Sequence, residues 1–122
     1  MADNKQYITQ LQEHGTVMIS EDVIATIISH TIAEVEGVAG LSTKPGADIA
    51  EIIGKKNWGK GMKIVIGEND ELSVECNLIL KYGQSVVTVA KAVQEAVTSA
   101  LESTTGVKVA YVNVNVCGIA AQ

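Results

Sequence analysis

The sequence contains no arginine and no phenylalanine, and it has only four aromatic side chains in 122 residues. All nine basic residues are lysines, and with fourteen acidic residues the formal net charge is −5. Without guanidinium groups the chain has no bidentate fork for phosphate, carboxylate or guanine. Four aromatic rings are too few for the stacking platforms that bind single-stranded nucleic acid. These absences and the acidic balance disfavour nucleic-acid binding.

Long apolar runs are also absent, although 47% of the residues are hydrophobic. No stretch approaches the roughly 18–20 apolar residues that a bilayer span needs, and the polar start MADNKQY lacks the apolar core of a signal peptide. Two cysteines, Cys76 and Cys117, are too few for a disulfide framework and fit a reducing compartment. We therefore expect a cytoplasmic protein with a flexible N-terminal tail over 1–13, one domain over 14–119 and a C-terminal tail over 120–122.

The spacing of apolar residues predicts two long helices. After a β-branched strand at 15–20, Ser20 is a suitable N-cap for the first helix. The segment 83–106 is rich in valine, which favours a strand by propensity. Its apolar residues nevertheless fall on one third to one half of a helical wheel and predict a helix. Gly37 and Gly106 are placed to end the two helices in left-handed turns.

Three further strands and one short helix are predicted. The strands at 61–67 and 72–82 flank a turn and form a hairpin, and the last strand covers 107–119. The segment 47–54 has the pattern of a short amphipathic helix that stops at Gly54.

The resulting element order is β-α-α-β-β-α-β, which predicts an α+β fold of two layers. The sheet is expected to be small, with three or four strands, and mostly antiparallel or mixed. Because each later strand has one apolar and one largely polar face, the two long helices and the short one are expected to pack mainly on one face. The last strand can join by a parallel crossover or lie beside the other strand of the hairpin, and the sequence does not choose between them.

A glycine-rich segment contains the motif GVAG, which Gly37 and Gly40 frame between two predicted helices. Its position is similar to that of the loop with which KH domains clamp a nucleic-acid backbone. Val38 and Ala39 offer no side-chain donor, however, and two glutamates shortly precede the motif. We therefore interpret Gly37 and Gly40 as structural turns and keep KH-like RNA binding as the alternative.

The only basic cluster surrounds the single tryptophan, Trp58, and comprises Lys55, Lys56, Lys60 and Lys63. At about 1 kcal/mol per lysine near an anionic membrane, four lysines give about 4 kcal/mol, which corresponds to roughly millimolar affinity. Direct membrane binding is therefore marginal. Lys55, Lys56, Trp58 and Lys60 are our candidate contact surface for a protein partner, and a solvated loop is the simpler interpretation.

No motif for catalysis or metal binding is present. His14 and His30 are far apart, the sequence contains no HxxH, CxxC or GxSxG, and no third group is placed to orient a nucleophile. Cys76 lies on the apolar face of its predicted strand, whereas Cys117 lies in phase with polar residues. We expect no enzyme activity, no metal and no cofactor.

Three separated motifs follow one another within residues 14–119. The first is G-x-V-x-I-S-x-x-V-I with E-V-E-G-V-x-G-L, the second is G-K-K-N with K-G-M-K-I, and the third is Y-G with V-Q, T-G and V-x-V-x-V-x-G-I. Together they resemble the bacterial alkaline-shock, or envelope-stress-response, family.

The resemblance implies a non-enzymatic protein of cell-envelope homeostasis. It implies a self-associating scaffold that binds a membrane-anchored protein partner at the cytoplasmic face of the membrane. It supplies no catalytic residue and no cofactor. The alternatives are an RNA-binding module that uses Gly37–Gly40 and a protein that regulates a lipid-synthesis enzyme by contact.

Overall fold

Eight helices and strands occur in the part of the chain that the structure, a computed structural model, describes, which is residues 7–42 and 61–120. The described chain is α+β, with two helices and two sheets. The elements in chain order are β1 (Tyr7–Gln12), β2 (Gly15–Ser20), α1 (Glu21–Ala33), β3 (Val38–Leu41), β4 (Met62–Ile66), β5 (Leu72–Lys81), α2 (Val86–Thr105) and β6 (Val109–Ala120).

Both helices begin at a serine N-cap. Ser20 Oγ accepts a hydrogen bond from the backbone N–H of Val23 at 3.4 Å, and Ser85 Oγ accepts one from Thr88 at the same distance. Each helix then buries one apolar stripe, as expected for a helix that covers a sheet. The fully buried members of these stripes are Ile24, Ile28, Ile32, Val93, Val97 and Leu101.

The larger sheet is mixed and is built around β5. On one side β6 runs parallel to β5 along its whole length. On the other side β3 and β4 both run antiparallel to β5, β3 against its C-terminal half and β4 against its N-terminal half. They lie end to end, because Ser42 N–H donates to Asn77 O and Asn77 N–H donates to Gly61 O, both at 2.8 Å. Together β3 and β4 therefore form one interrupted row.

The core lies between this sheet and the helices. Alternate side chains of β5 are at most 1% exposed, and they share the core with the inward residues of β4 and β6. These β5 residues are Leu72, Val74, Cys76, Leu78 and Leu80. The two helices contact each other, and α2 contacts β6. Burial of β5 on this side and partial exposure of its intervening residues agree with the prediction that the helices cover one face.

The smaller sheet is the antiparallel hairpin of β1 and β2. Ile8 is 1% exposed and joins the main core. The side-chain amide of Gln10 donates to Thr105 O at 2.8 Å, at the C-terminal end of α2. The hairpin is thus anchored beside the point where α2 ends.

The predicted order is wrong in two places. Residues 7–12 form β1, whereas the sequence predicted a flexible tail over 1–13, and Val38–Leu41 forms β3 where a turn was expected. The predicted short helix at 47–54 lies outside the described residues. The open choice for the last strand is resolved in favour of a parallel crossover, since α2 leads from β5 to its parallel neighbour β6.

Candidate functional site

The sheet face directed away from the core is the candidate site, and we name it the open face. Paired residues of neighbouring strands lie on the same face, so the register assembles this surface in three rows. The rows are Val65–Ser73–Tyr111, Lys63–Glu75–Asn113 and Asn77–Asn115.

Side-chain hydrogen bonds hold the Asn77–Asn115 row in place. Asn115 Nδ2 donates to Asn77 Oδ1 and to Glu75 Oε2, at 2.9 Å in each case. Asn77 is only 5% exposed, so its polar side chain requires such a partner. The two bonds join β6 to β5 and fix Glu75 on the surface.

The other two rows combine charge with exposed apolar surface. Lys63 lies directly opposite Glu75, an arrangement that favours a cross-strand ion pair. Val65 and Tyr111 are 47% and 53% exposed and flank Ser73. Together these five side chains line a shallow depression of about 50 Å³, and Val74 completes the lining. Exposed tyrosine is one of the residues that are enriched at protein-binding surfaces.

Titratable side chains line two open depressions of the described residues: Glu95 and Glu102 one of about 410 Å³ on α2, and Lys63 and Glu75 that of the open face. Across residues 7–42 and 61–120, no group of three or more His, Cys, Asp or Glu side chains is placed to hold a metal ion. Burial, and secondarily the charge of Glu75, raises the pKa of Cys76 to about 12, so its thiol stays protonated at neutral pH. Cys117 is exposed, and its Sγ lies 3.8 Å from Asn115 O.

The predicted contact surface cannot be placed on the fold. Lys55, Lys56, Trp58 and Lys60 lie outside the described residues, as does Gly54. Lys63, the remaining lysine of that cluster, lies on β4 within the open face. The segment that carries the cluster leaves the sheet after Ser42 and re-enters it at Gly61, beside Asn77.

The two glycines of the GVAG motif have different roles. Gly37 has φ of +99° and lies in the turn between α1 and β3. Gly40, predicted to be a turn, instead lies within β3 and pairs with Ile79. Because Val38–Leu41 is hydrogen-bonded into the sheet, the motif is not the free loop between two helices that KH-like clamping requires.

Sequence reasoning did not select Tyr111 or Val65. Tyr111 is in phase with Asn113 and Asn115 on its strand, so the alternation did contain a signal that it faces away from the core. Its position beside Val65 could not be foreseen, because it depends on which strands border β5.

Neither helix of the described chain combines the length and apolar character needed to cross a membrane.

Comparison with known proteins assigns the chain to a family. A model of the ASP23 family, described as having a cell envelope-related function, matches residues 9–121. The chain belongs to this family. The resemblance inferred from the three sequence motifs is therefore confirmed.

Two relatives are similar to this chain over most of their own length. Spy1614 of Streptococcus pyogenes serotype M6 is 33% identical over 108 residues, which cover 86% of this chain and 88% of the relative. YqhY of Bacillus subtilis is 30% identical over 105 residues, which cover 86% of this chain and 77% of the relative. Both proteins are described as uncharacterized.

Among solved structures, a C-terminal domain of MamM aligns with 84% of this chain and 95% of its own, with a TM-score of 0.48 and 14% identity.

Proposed function

We propose that the protein is a non-enzymatic scaffold of cell-envelope homeostasis, which binds a membrane-anchored protein on the cytoplasmic side and associates with further copies of itself. Membership of a family with a cell envelope-related function supports the general role. The observation that carries the binding role is the open face, where Tyr111 and Val65 are half exposed beside the Lys63–Glu75 pair.

The composition of the open face favours a protein partner. Tyrosine is enriched where binding energy concentrates, because it buries a large ring and retains a polar tip. The Asn115 bonds to Asn77 and Glu75 hold the surrounding polar groups in place before binding. A surface fixed in this way loses less conformational entropy when a partner docks.

The same surface supports a role without catalysis. Its charged side chains, Lys63 and Glu75, lie opposite each other on two neighbouring strands. The buried thiol of Cys76 points to the core and not to the open face. These features are consistent with a protein that acts by binding a partner through the open face.

The test is capture of membrane proteins with the purified chain as bait. Tyr111→Ala removes the exposed ring of the open face, and we expect capture of the partner from detergent-solubilised membranes to fall at least tenfold. Tyr82→Ala is the matched control, because Tyr82 is 73% exposed but follows the end of β5. Equal capture by both variants and the unmodified chain would overturn the proposed role of the open face.

A further inference from the structure

The outer edge of β6 is unusually suited to pairing with another strand. β6 is the longest strand of the described chain, with 12 residues. It lies in the longest uncharged run of the sequence, the 14 residues from 109 to 122. Exposed edges are normally protected by lysine, proline or inward charges, because unpaired backbone groups recruit other chains. The edge strand β6 contains no lysine, proline or charge, and its two register irregularities lie outside residues 112–116.

The register identifies which backbone groups this edge presents. Leu72, which lies opposite Val109, donates its N–H to Lys108 O at 2.9 Å. In a parallel pair of strands, a residue such as Leu72 bonds the residues on either side of its partner. The N–H and C=O of the partner, here Val109, then point away from β5. The register shifts by one residue between Leu72 and Ser73. Beyond this shift, the backbone of Asn77 binds Ser42 and Gly61 on the other side of β5, so Val74, Cys76 and Leu78 face β6. The backbones of their partners Val112, Val114 and Val116 therefore face outward.

Helix α2 caps only the first half of this edge. The Val109 N–H donates to Glu102 Oε2 at 3.3 Å, and Gln94 Nε2 donates to Val112 O at 3.0 Å. Within the described ranges, no strand or side chain is recorded on the outward groups of Val114 and Val116. Among the described residues, the second half of the edge therefore has outward N–H and C=O groups with no strand beside them.

We propose that this half of β6 pairs antiparallel with the same edge of a second copy of the chain, about a two-fold axis at Val114. The proposal deepens the self-association in the proposed function and rests on it. It assigns that association to one surface and leaves the open face of both copies accessible to another partner.

The edge is complementary to itself. With the axis at Val114, Val112 lies opposite Val116 of the second copy, and Asn113 lies opposite Asn115. The Val116 N–H of the second copy then shares Val112 O with Gln94 Nε2, because a carbonyl oxygen can accept two hydrogen bonds. The valines then meet on the core side and the asparagines on the open face. β6 contains no charged residue, so the paired strands add no repulsion between like charges. This is important because each chain has a net charge of −5.

An exposed valine on α2 also fits this arrangement. Along α2, Glu102 contacts Val109 and Gln94 contacts Val112, so earlier turns of the helix lie beside later residues of β6. Val87, seven residues before Gln94, is on the same side of the helix. Its side chain is 68% exposed in the single chain and would lie near the proposed axis.

The opposite edge of the sheet is less suited to self-pairing. It consists of β3 and β4, with four and five residues, and it is interrupted between Ser42 and Gly61. It also carries Lys63. An uncharged strand likewise offers no charge complementarity to a basic or acidic peptide, so a second copy is the occupant that the edge itself favours.

Proline at the centre of the edge is the first test. Because the Val114 N–H faces outward, Val114→Pro removes no bond to β5, but it removes a bond that the two-fold pair requires. Val114→Ala is the matched control, since it loses the same packing and keeps the N–H. By sedimentation equilibrium on the full chain, we expect at least a tenfold weaker association for the proline variant than for the alanine variant. Circular dichroism establishes that both are folded.

Disulfide trapping tests the register. In an antiparallel pair, Asn113 and Asn115 of the second copy are non-hydrogen-bonded neighbours with Cα atoms about 4.5 Å apart, within the range for a disulfide. In a Cys117→Ser background, we expect an oxidised mixture of the Asn113→Cys and Asn115→Cys chains to form a mixed dimer more than fivefold faster than either alone. A mixture of Lys63→Cys and Val65→Cys chains, on the opposite edge, is the control.

The outcomes separate this inference from the proposed function. Self-association that survives Val114→Pro unchanged, or faster trapping through β4, overturns the β6 pairing and leaves a self-associating scaffold in place. A wild-type chain that stays monomeric at millimolar concentration overturns both the pairing and the self-association. A weakened proline variant together with the mixed Asn113–Asn115 crosslink supports the pairing.

Discussion

Asn115 Nδ2 on β6 donates to Asn77 Oδ1 on β5 at 2.9 Å, directly beside the interruption between β3 and β4. The backbone of the same asparagine, Asn77, binds Ser42 on one side of the interruption and Gly61 on the other. Asn77, a buried residue, therefore joins β6 to the adjoining ends of β3 and β4. Between these ends lies the lysine-rich segment, the part of the chain that contains Lys55, Lys56, Trp58 and Lys60.

Asn115→Asp should destabilise the fold by about 1–3 kcal/mol, because it removes the donor to Asn77 and places a second carboxylate beside Glu75. Urea denaturation at pH 7 measures the free energy of unfolding. Asn113→Asp is the matched control, because Asn113 lies opposite Glu75 and the variant also places a carboxylate beside it, but it removes no bond to Asn77. It should cost less than Asn115→Asp. The difference between the two variants should shrink below pH 4, where a protonated Asp can donate again. Equal costs at pH 7 would contradict a structural role for this bond.

Cys76 should make the fold less stable in alkali. Its pKa is 9.0 when unperturbed and about 12 in the folded chain, so between these values the folded state binds more protons than the unfolded state. The resulting stabilisation is complete well below pH 9 and is lost as the pH rises towards 12, with a loss on the order of 1 kcal/mol at pH 10.

Urea denaturation of Cys76→Ala at pH 8 and pH 10 isolates this contribution. The variant is less stable overall, because it leaves a cavity in the core, but its stability should fall less between the two pH values than that of the unmodified chain. The same fall in both proteins would show that other groups cause the alkaline loss.

The two glycines of GVAG should respond differently to alanine. At Gly37 a Cβ would lie 2.8 Å from Val89 Cγ2, and φ is +99°, so Gly37→Ala should cost about 1–3 kcal/mol. At Gly40 a Cβ meets nothing within 4 Å, and Gly40→Ala should change stability by less than about 0.5 kcal/mol. Thermal denaturation of the pair is the measurement, and a larger cost at Gly40 would contradict its assignment to an open position of β3.

The lysine-rich segment remains a predicted contact surface. Replacing Lys55, Lys56 and Lys60 with glutamate should weaken capture of the membrane-anchored partner at least fivefold, because it reverses the charge of the predicted contact surface. A triple replacement with the same change in net charge is the control, at the exposed lysines Lys81, Lys91 and Lys108. If both triple variants capture equally, the segment is not the contact surface.

The helices could be predicted because their signals agree over many residues. In α2 the helical spacing of Val89, Val93 and Val97 outweighed the strand propensity of valine, and Gly106 marked its end. The alternation along β5 likewise identified its buried and open faces. These patterns depend on local periodicity, which a single sequence contains.

The remainder depends on contacts between distant residues. β3 has only four residues, and its partner β5 lies more than 30 residues away along the chain. The short GVAG segment therefore contains no local signal of a strand, and its glycines favoured the prediction of a turn. β1 has no Asn-Gly or Asp-Gly turn before β2 to indicate a hairpin. The depression between Val65 and Tyr111 follows from the position of β5 between β4 and β6, which no local pattern records.

Photo-crosslinking in cells at position 111 tests the central claim most directly. With a photoreactive amino acid in place of Tyr111, the account predicts one dominant adduct that sediments with the membrane fraction and contains a membrane-anchored protein. The same probe at Val23, which is 46% exposed on α1, should not form it. Adducts of equal yield from both positions, or an adduct at 111 confined to soluble proteins, would contradict the account.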